Sequence, residues 1–239
     1  MQPIPIFRFS RTEGPGYFAD FLDRHQVPWR VVALDAGESV PESLAGIGGI
    51  GMMGGPMSVN DDLPWVPPME ALLRQAVAAD LPVIGHCLGG QLLAKALGAP
   101  VTRAPNVEIG WHEVKVEATP VAREWLGDAP TYRTFEWHNE SFALPPGATR
   151  VLTNAACPNQ AYALGNSIGL QCHIEMTREL VGIWVHDGVG ELSCGAERFG
   201  PHVQSAAEIT ADLDADLARL NAMADRIYTR WIAGLALGA

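Results

Sequence analysis

The first part of the chain alternates between short apolar runs and segments whose apolar positions recur every three or four residues. The apolar runs have the length and composition of buried strands and cover residues 4–9, 29–35, 47–53 and 81–85. The segments with helical spacing lie between or after these runs, at residues 16–25, 69–80 and 90–98. Strands that alternate with helices predict βαβ units, and therefore a parallel sheet covered by helices.

The later part of the chain follows a different pattern. Residues 108–119 alternate with period two, which predicts antiparallel strands at one side of the sheet. Further short strands are predicted at residues 149–155, 160–165 and 167–173. Residues 204–233 have the spacing of one amphipathic helix, whereas the glycine-rich segment 188–201 is predicted to be a loop. Together the patterns predict an α/β three-layer sandwich with a mostly parallel central sheet, formed by one domain over residues 1–239.

Composition and charge limit the kinds of binding partner to expect for this chain. Apolar residues make up 48% of the 239 positions, enough for a sizeable core, and the formal charge is −11. An acidic chain is a poor match for nucleic acid or for an anionic membrane, so we expect neither partner. The four cysteines have no C-x-x-C spacing and no apolar run reaches the length of a membrane span. We therefore expect a cytoplasmic protein with reduced thiols, without a metal site.

Cys87 is the residue with the clearest chemical signal. It stands between Gly85 and Gly89 where a predicted strand becomes a predicted helix, in the sequence GHCLG. A sharp strand-to-helix turn exposes the central side chain, and the amides at the start of the helix favour a thiolate and can hold an oxyanion. The alternative is a small buried apolar residue, which is the default interpretation of Cys157, Cys172 and Cys194. The flanking glycines favour a nucleophile at Cys87.

His173 and Glu175 are the candidate partners of that nucleophile. They follow an apolar strand in the sequence GLQCHIE (169–175), and residues two apart on extended backbone face the same side. Glu175 would then hold the imidazole in the tautomer that shares a proton with Cys87. The alternative is an ordinary histidine and glutamate at the surface end of a strand.

These segments together resemble the class I glutamine amidotransferases, and more narrowly the stand-alone proteins similar to the glutaminase domain of GMP synthase. The resemblance covers about residues 46–176 and rests on four ordered motifs. The motifs are GGPMS from Gly54, the nucleophile segment GHCLGGQLLAKALGA, WHNESFALPPGA (137–148) and GLQCHIE. The resemblance implies a flavodoxin-like fold and a catalytic triad of Cys87, His173 and Glu175. It also implies an oxyanion hole made by the backbone amides of Gly55 and Leu88.

The resemblance also indicates which residues contact the substrate. Residue Gln91, one helical turn after Cys87, is expected to touch it, as are Gly54, Trp137, His138 and Asn139. Four positions depart from the family's commonest pattern. Asn139 replaces a glycine that opens the site, and Ile174 replaces a proline. Gly90 replaces a histidine or alanine, and His86 replaces an aliphatic residue, with no catalytic role expected for His86.

The chemistry implied is hydrolysis of a γ-glutamyl amide through a Cys87 thioester, without a cofactor. In an amidotransferase the released ammonia would pass to a separate synthetase subunit, because no Gly-rich lysine loop for ATP is present. The alternative is a γ-glutamyl hydrolase or peptidase that uses water alone, which the altered 137–142 segment favours slightly. A third interpretation is a binding or regulatory protein on the same fold. Glutamine or another γ-glutamyl small molecule is the expected ligand in the first two.

Overall fold

The architecture is one mixed sheet between two layers of helices, in a computed structural model that describes residues 2–235. The strands are β1 (Ile4–Arg8), β2 (Trp29–Ala33), β3 (Ile50–Met52), β4 (Val83–His86), β5 (Val101–Val116), β6 (Thr131–Phe142), β7 (Thr149–Thr153), β8 (Ala161–Leu164) and β9 (Ser167–Leu170). The helices are α1 (Gly16–Arg24), α2 (Val66–Ala78), α3 (Leu88–Ala96), α4 (Pro120–Leu126), α5 (Arg178–Asp187), α6 (Val189–Phe199), α7 (Ala206–Ala211) and α8 (Leu213–Ala233).

The order of the strands places two distant segments side by side. Within the described residues the order is β2-β1-β3-β4-β9-β8-β7-β5-β6. The strands from β2 to β9 in this order are parallel, and β4 pairs with β9 so that His86 lies opposite Leu170. Because parallel strands end at the same edge, the residues that follow β4 and β9 meet there. This pairing brings the segment of Cys87 next to the segment of His173.

The other side of the sheet is antiparallel. The long strands β5 and β6 pair antiparallel with α4 in the connection between them, and β7, β8 and β9 continue the sheet from β5. The pairing of β5 and β6 changes register between Arg103 and Glu108. Strand β6 reaches the edge at which β9 ends, because Phe135 forms an isolated bridge with His173. The antiparallel strands expected at one side of the sheet are confirmed.

Apolar side chains fill both faces of the sheet. Phe18 and Phe21 of α1 pack with Tyr228 and Trp231 of α8 on one face. The buried side chains of α2 and α3, such as Leu73 and Leu92, cover the other. Helices on both faces of a central sheet are the three-layer α/β arrangement that the strand-helix alternation predicts. This fold class is confirmed.

Several local predictions differ from the structure. Residues 188–201 are mostly helical rather than a loop, because α6 spans Val189–Phe199 around a kink at Gly195. The predicted tail helix is two helices, since Asp212 leaves helical geometry between α7 and α8. Strand β6 and helices α4 and α5 were not predicted. Across residues 2–235 none of the helices combines the length and the apolar composition needed to cross a bilayer.

Candidate active site

Cys87 occupies a sharp turn between strand β4 and helix α3. Its backbone angles, φ 47° and ψ −105°, lie in a region that side chains with a Cβ rarely adopt. Residue 87 caps the helix, and Leu88 begins it. Such strain persists only where the surroundings enforce it, and it is common at reactive residues. The turn predicted from the two glycines is therefore present, with Cys87 7% exposed at its tip.

The glycines beside Cys87 allow the turn to pack tightly. A Cβ on Gly85 would lie 2.3 Å from the carbonyl carbon of Gly89, and a Cβ on Gly89 would lie 2.6 Å from the Cβ of Met52. The same segment is tied to β3 by the amide of Gly89, which donates to the carbonyl oxygen of Met53 at 3.1 Å. The sequence GHCLG thus folds in this way because no larger residue fits at the two flanking positions.

His173 lies between the sulfur of Cys87 and the carboxylate of Glu175. Its Nδ1 donates to Glu175 Oε1 at 2.6 Å, and its ring lines the same cavity as Cys87. The backbone of His173 is held by Phe135, whose carbonyl oxygen accepts from the His173 amide at 2.8 Å. Burial opposes a charged ring, but the negative charges of Glu175 and Cys87 prevail and hold the pKa of His173 well above its usual range. The arrangement favours an imidazolium at His173.

Two backbone amides lie close to Cys87. A Cβ on Gly55 would be 2.6 Å from Leu88 Cδ2, so the Gly-Gly turn after β3 touches the start of α3. Within the described part of the chain, the amides of Gly55 and Leu88 have no hydrogen-bond acceptor. The first amides of a helix lack internal partners, so Leu88 is free to donate to a ligand.

A cavity of about 310 Å³ opens in front of the sulfur. Cys87 and His173 line it, together with four of the predicted substrate contacts: Gln91, Trp137, His138 and Asn139. Gly54 is placed differently, behind the imidazole, where a Cβ would be 2.8 Å from His173 Cε1. A cysteine, a histidine and a pocket of small-molecule size are thus together at one edge of the sheet.

Comparison with known proteins places the chain in a family. The model of the glutamine amidotransferase class-I family matches residues 20–182, which is more than half of the chain. The chain belongs to this family. A solved structure of a glutamine amidotransferase from Methylobacillus flagellatus is 48% identical with a TM-score of 0.97, over 100% of this chain and 97% of that one.

Curated relatives are more distant in sequence. The glutamine amidotransferase-like protein YfeJ of Salmonella typhimurium is 32% identical over 74% of this chain and 76% of its own length. One subunit of the glutamine-hydrolysing GMP synthase of Sulfurisphaera tokodaii is 28% identical over 64% of this chain and 73% of its length. The resemblance to class I amidotransferases inferred from four motifs is confirmed.

Gln171 is a site residue that the sequence interpretation missed. Its side-chain amide donates to Cys87 Sγ at 3.5 Å and accepts, through Oε1, from Gln91 Nε2 at 3.2 Å. Gln91 Nε2 also lies 3.1 Å from the carbonyl oxygen of Glu140. A signal was present, because Gln171 precedes His173 by two positions and extended backbone directs both to one side.

Glu13 is the second missed residue. It lies in the loop before α1, lines the pocket, and its Oε2 would be 2.2 Å from a Cβ on Gly54. Burial raises the pKa of Glu13 to about 7, against the opposing charge of His173. No sequence pattern linked residue 13 to residue 173, because only the fold brings the β1–α1 loop over this edge.

His138 belongs to a buried ionic cluster under the pocket. Its Nε2 lies 3.1 Å from Glu108 Oε2 and 3.5 Å from Glu136 Oε2, and all three residues are nearly inaccessible. Neither ring nitrogen is aligned with an acceptor in the described residues, so the attraction is ionic rather than a directed hydrogen bond. Burial disfavours the charged ring, but the two carboxylates raise the pKa of His138 to about 9. The cluster anchors the part of β6 that lines the cavity.

Cys157 lies beside this cluster. One donor atom each from Glu108, His138 and Cys157 lie within 4.8 Å of one another, the separation that a metal site requires. However, burial raises the pKa of Cys157 to about 12, and its thiol donates to Ser141 Oγ at 3.2 Å. A cysteine binds a metal ion as the thiolate, not as the thiol. The arrangement therefore suits a hydrogen-bonded thiol better than a metal ligand.

His86 has a structural position. Its Nδ1 lies 3.0 Å from the carbonyl oxygen of Met52, which can only accept, so Nε2 is the acceptor for the hydroxyl of Tyr228, also at 3.0 Å. Burial lowers the pKa of His86, in keeping with a neutral ring. The residue before the nucleophile is thereby joined to helix α8.

Proposed function

We propose that this chain hydrolyses a γ-glutamyl amide through a covalent thioester on Cys87. The observation that carries the proposal is the hydrogen bond between His173 and Glu175, with His173 and Cys87 together at the wall of one cavity. A nucleophile, a base and a group that orients the base are the minimum for covalent acyl transfer. Membership of the class I glutamine amidotransferase family supports the same chemistry, with glutamine as the simplest substrate.

In the first half of the reaction the thiolate of Cys87 attacks the γ-carbonyl carbon of the substrate. The developing oxyanion is held by the amides of Gly55 and Leu88, each worth roughly 10²-fold or more in rate if it acts as such donors do elsewhere. The imidazolium of His173 then gives its proton to the departing nitrogen, the C–N bond breaks, and ammonia or an amine leaves. The γ-glutamyl group remains bonded to sulfur.

In the second half water replaces the amine. His173, now neutral, takes a proton from water, whose oxygen attacks the thioester carbon. The C–S bond breaks and glutamate leaves. Glu175 keeps the imidazole oriented and balances its charge in both halves, and Gln171 donates to the sulfur of the free enzyme.

Glutamate release from glutamine tests the proposal, with a γ-glutamyl chromogenic amide as a second substrate. We expect turnover by the wild type and none by Cys87→Ala. In the wild type we also expect one adduct per chain, located on Cys87, from the γ-glutamyl group or from an alkylator that mimics glutamine. Cys172→Ala is a matched control, because that buried thiol is outside the cavity lining. Unchanged release by Cys87→Ala, or an adduct on another residue, would refute the assignment.

A second candidate concerns the fate of the nitrogen. The relative from Sulfurisphaera tokodaii is one subunit of a glutamine-hydrolysing GMP synthase, which favours transfer of ammonia to a separate synthetase subunit. We expect glutamate release by the purified chain alone if water is the only acceptor. Release that begins only when a synthetase subunit is added would favour the amidotransferase.

A further inference from the structure

One side of the cavity is strongly acidic. Glu13, Asp187 and Glu191 line it, and we call these three residues the acidic wall. Glu140 lines the cavity as well. Among the described residues no lysine or arginine lines the cavity. Of its two histidines, His138 is already paired with Glu108 and Glu136, and outside the lining His186 Nδ1 lies 3.1 Å from Asp187 Oδ1.

The acidic wall lies on the side of His173. Glu13 Oε2 and His173 Cε1 both lie within 3 Å of the place a Cβ on Gly54 would occupy, at 2.2 and 2.8 Å. The ring of Trp184 meets His173 edge-on with centroids 4.7 Å apart, and its Nε1 donates at 2.8 Å to the carbonyl oxygen of Thr12, next to Glu13. The base and the first member of the wall are therefore neighbours.

The other two members lie near the tryptophans. Asp187 follows Trp184 by one turn of α5. Glu191 Oε2 accepts from Trp137 Nε1 at 2.9 Å, and the rings of Trp137 and Trp184 pack edge-on with centroids 5.9 Å apart. Two indole rings and three carboxylates thus line the same cavity as the imidazole.

The leaving group must occupy this side. If the proposed function holds, His173 gives its proton to the departing nitrogen, so the γ-substituent lies next to His173. The glutamyl head is a zwitterion and needs at most one carboxylate for its ammonium group. Of the four acidic side chains, Glu13 has a pKa of about 7 and is only partly ionised at neutral pH, and Glu140 accepts from Ser58 Oγ at 2.7 Å. Asp187 and Glu191 are left to face whatever the substrate carries beyond the scissile nitrogen. Carboxylates and indole faces both attract cations.

We infer that the preferred substrate is a γ-glutamyl amide whose amine part carries a second, protonated nitrogen, as in a γ-glutamyl diamine. The inference rests on the proposed function and specifies its substrate class. The reaction is the same: the C–N bond breaks, the proton of His173 goes to the released nitrogen, and water supplies the new oxygen of glutamate. The products are glutamate and a free diamine.

The test compares three substrates of equal chain length. These are γ-glutamyl-1,4-diaminobutane, which is cationic, γ-glutamyl-butylamine, which is neutral, and the γ-glutamyl amide of 4-aminobutyrate, which is anionic. We expect kcat/KM for the cationic amide to exceed that of the neutral one by about tenfold at low salt, and the anionic amide to be the poorest. Added salt should reduce the ratio of kcat/KM for the cationic amide to kcat/KM for the neutral amide.

Variants show whether the acidic wall causes the preference. Asp187→Asn and Glu191→Gln should each lower the cationic-to-neutral ratio by roughly 2- to 5-fold, the effect of one partly exposed charge pair. Glu191→Gln keeps an acceptor for Trp137 Nε1. The matched control is Asp20→Asn, an exposed carboxylate on α1 outside the cavity lining, which should leave the ratio unchanged.

Two kinds of failure can be distinguished. Equal kcat/KM for the cationic and neutral amides, or no turnover of the cationic amide, overturns the inference. If glutamine or the neutral amide is still hydrolysed through Cys87, the proposed function stands. Absence of glutamate release from every amide, glutamine included, together with an unmodified Cys87, refutes the proposed function itself.

Discussion

Gly85→Ala tests whether the tight turn at Cys87 sets the position of the sulfur. The added Cβ would lie 2.3 Å from the carbonyl carbon of Gly89, 2.4 Å from its oxygen and 2.5 Å from the amide nitrogen of Gly90. All three are backbone atoms at the start of α3, so no side chain can rotate to make room. An ordinary contact begins near 3.4 Å, and strand and helix would have to separate by about 1 Å.

The size of the effect follows from that displacement. Insertion of a methyl group into a packed region costs about 1–3 kcal/mol of unfolding free energy, and backbone contacts place Gly85 at the upper end. A displacement of about 1 Å at a reacting atom costs on the order of 10²-fold in rate. We therefore expect a loss of about 3 kcal/mol in urea denaturation and a larger fractional loss in kcat.

Gly182→Ala is the matched control. A Cβ on Gly182, in α5, would meet nothing within 4 Å, and the residue is exposed. In a helix the same substitution raises the unfolding free energy by about 0.4–1 kcal/mol. Gly85→Ala with wild-type stability and wild-type kcat would contradict the argument that the glycine is required by backbone contact.

The remaining predictions concern the base, the buried cluster and a helix cap. Glu175→Gln should lower kcat by roughly 10²-fold in the glutamate-release assay, since the imidazolium loses its counter-charge. We expect a proportionally smaller change in the urea concentration at the midpoint of unfolding. His138→Gln leaves two buried carboxylates without a cation, so we expect a loss of about 3–5 kcal/mol in urea denaturation. The pKa of His138 is raised to about 9 in the folded chain. Its contribution to the unfolding free energy is therefore fully present below pH 6.5 and is lost as pH rises through about 9. In urea titrations the unfolding free energy of His138→Gln should decline less steeply over this range than that of the wild type. Ser205→Ala removes the capping box of α7 and should cost about 1 kcal/mol with unchanged kcat.

Local patterns in the sequence predicted the elements that form the site. The glycines around Cys87 predicted the strand-to-helix turn, because backbone crowding is a local property. The spacing of His173 and Glu175 predicted a pair on one side of the chain, and their side chains are 2.6 Å apart. The catalytic roles assigned to them stay predictions until activity is measured.

Features that depend on strand order could not be predicted in the same way. No local signal places β4 beside β9, yet that pairing alone brings Cys87 to the segment that carries His173. Glu13 was missed for the same reason, since it becomes informative only beside the imidazole, whereas the spacing of Gln171 from His173 was a local signal left unused. The helix α6 was taken for a loop because glycines recur through residues 188–201, although Leu192 packs inward and the helix supplies Glu191 to the cavity.

The hydrogen bond between Tyr228 and His86 has a consequence for how the chain matures on the ribosome. The residue before the nucleophile is braced by a hydroxyl that is synthesised 142 positions later. We expect a nascent chain arrested before α8 to hold the turn at Cys87 less rigidly than a chain that includes residue 228. The geometry around Cys87 would then be completed only near the end of translation.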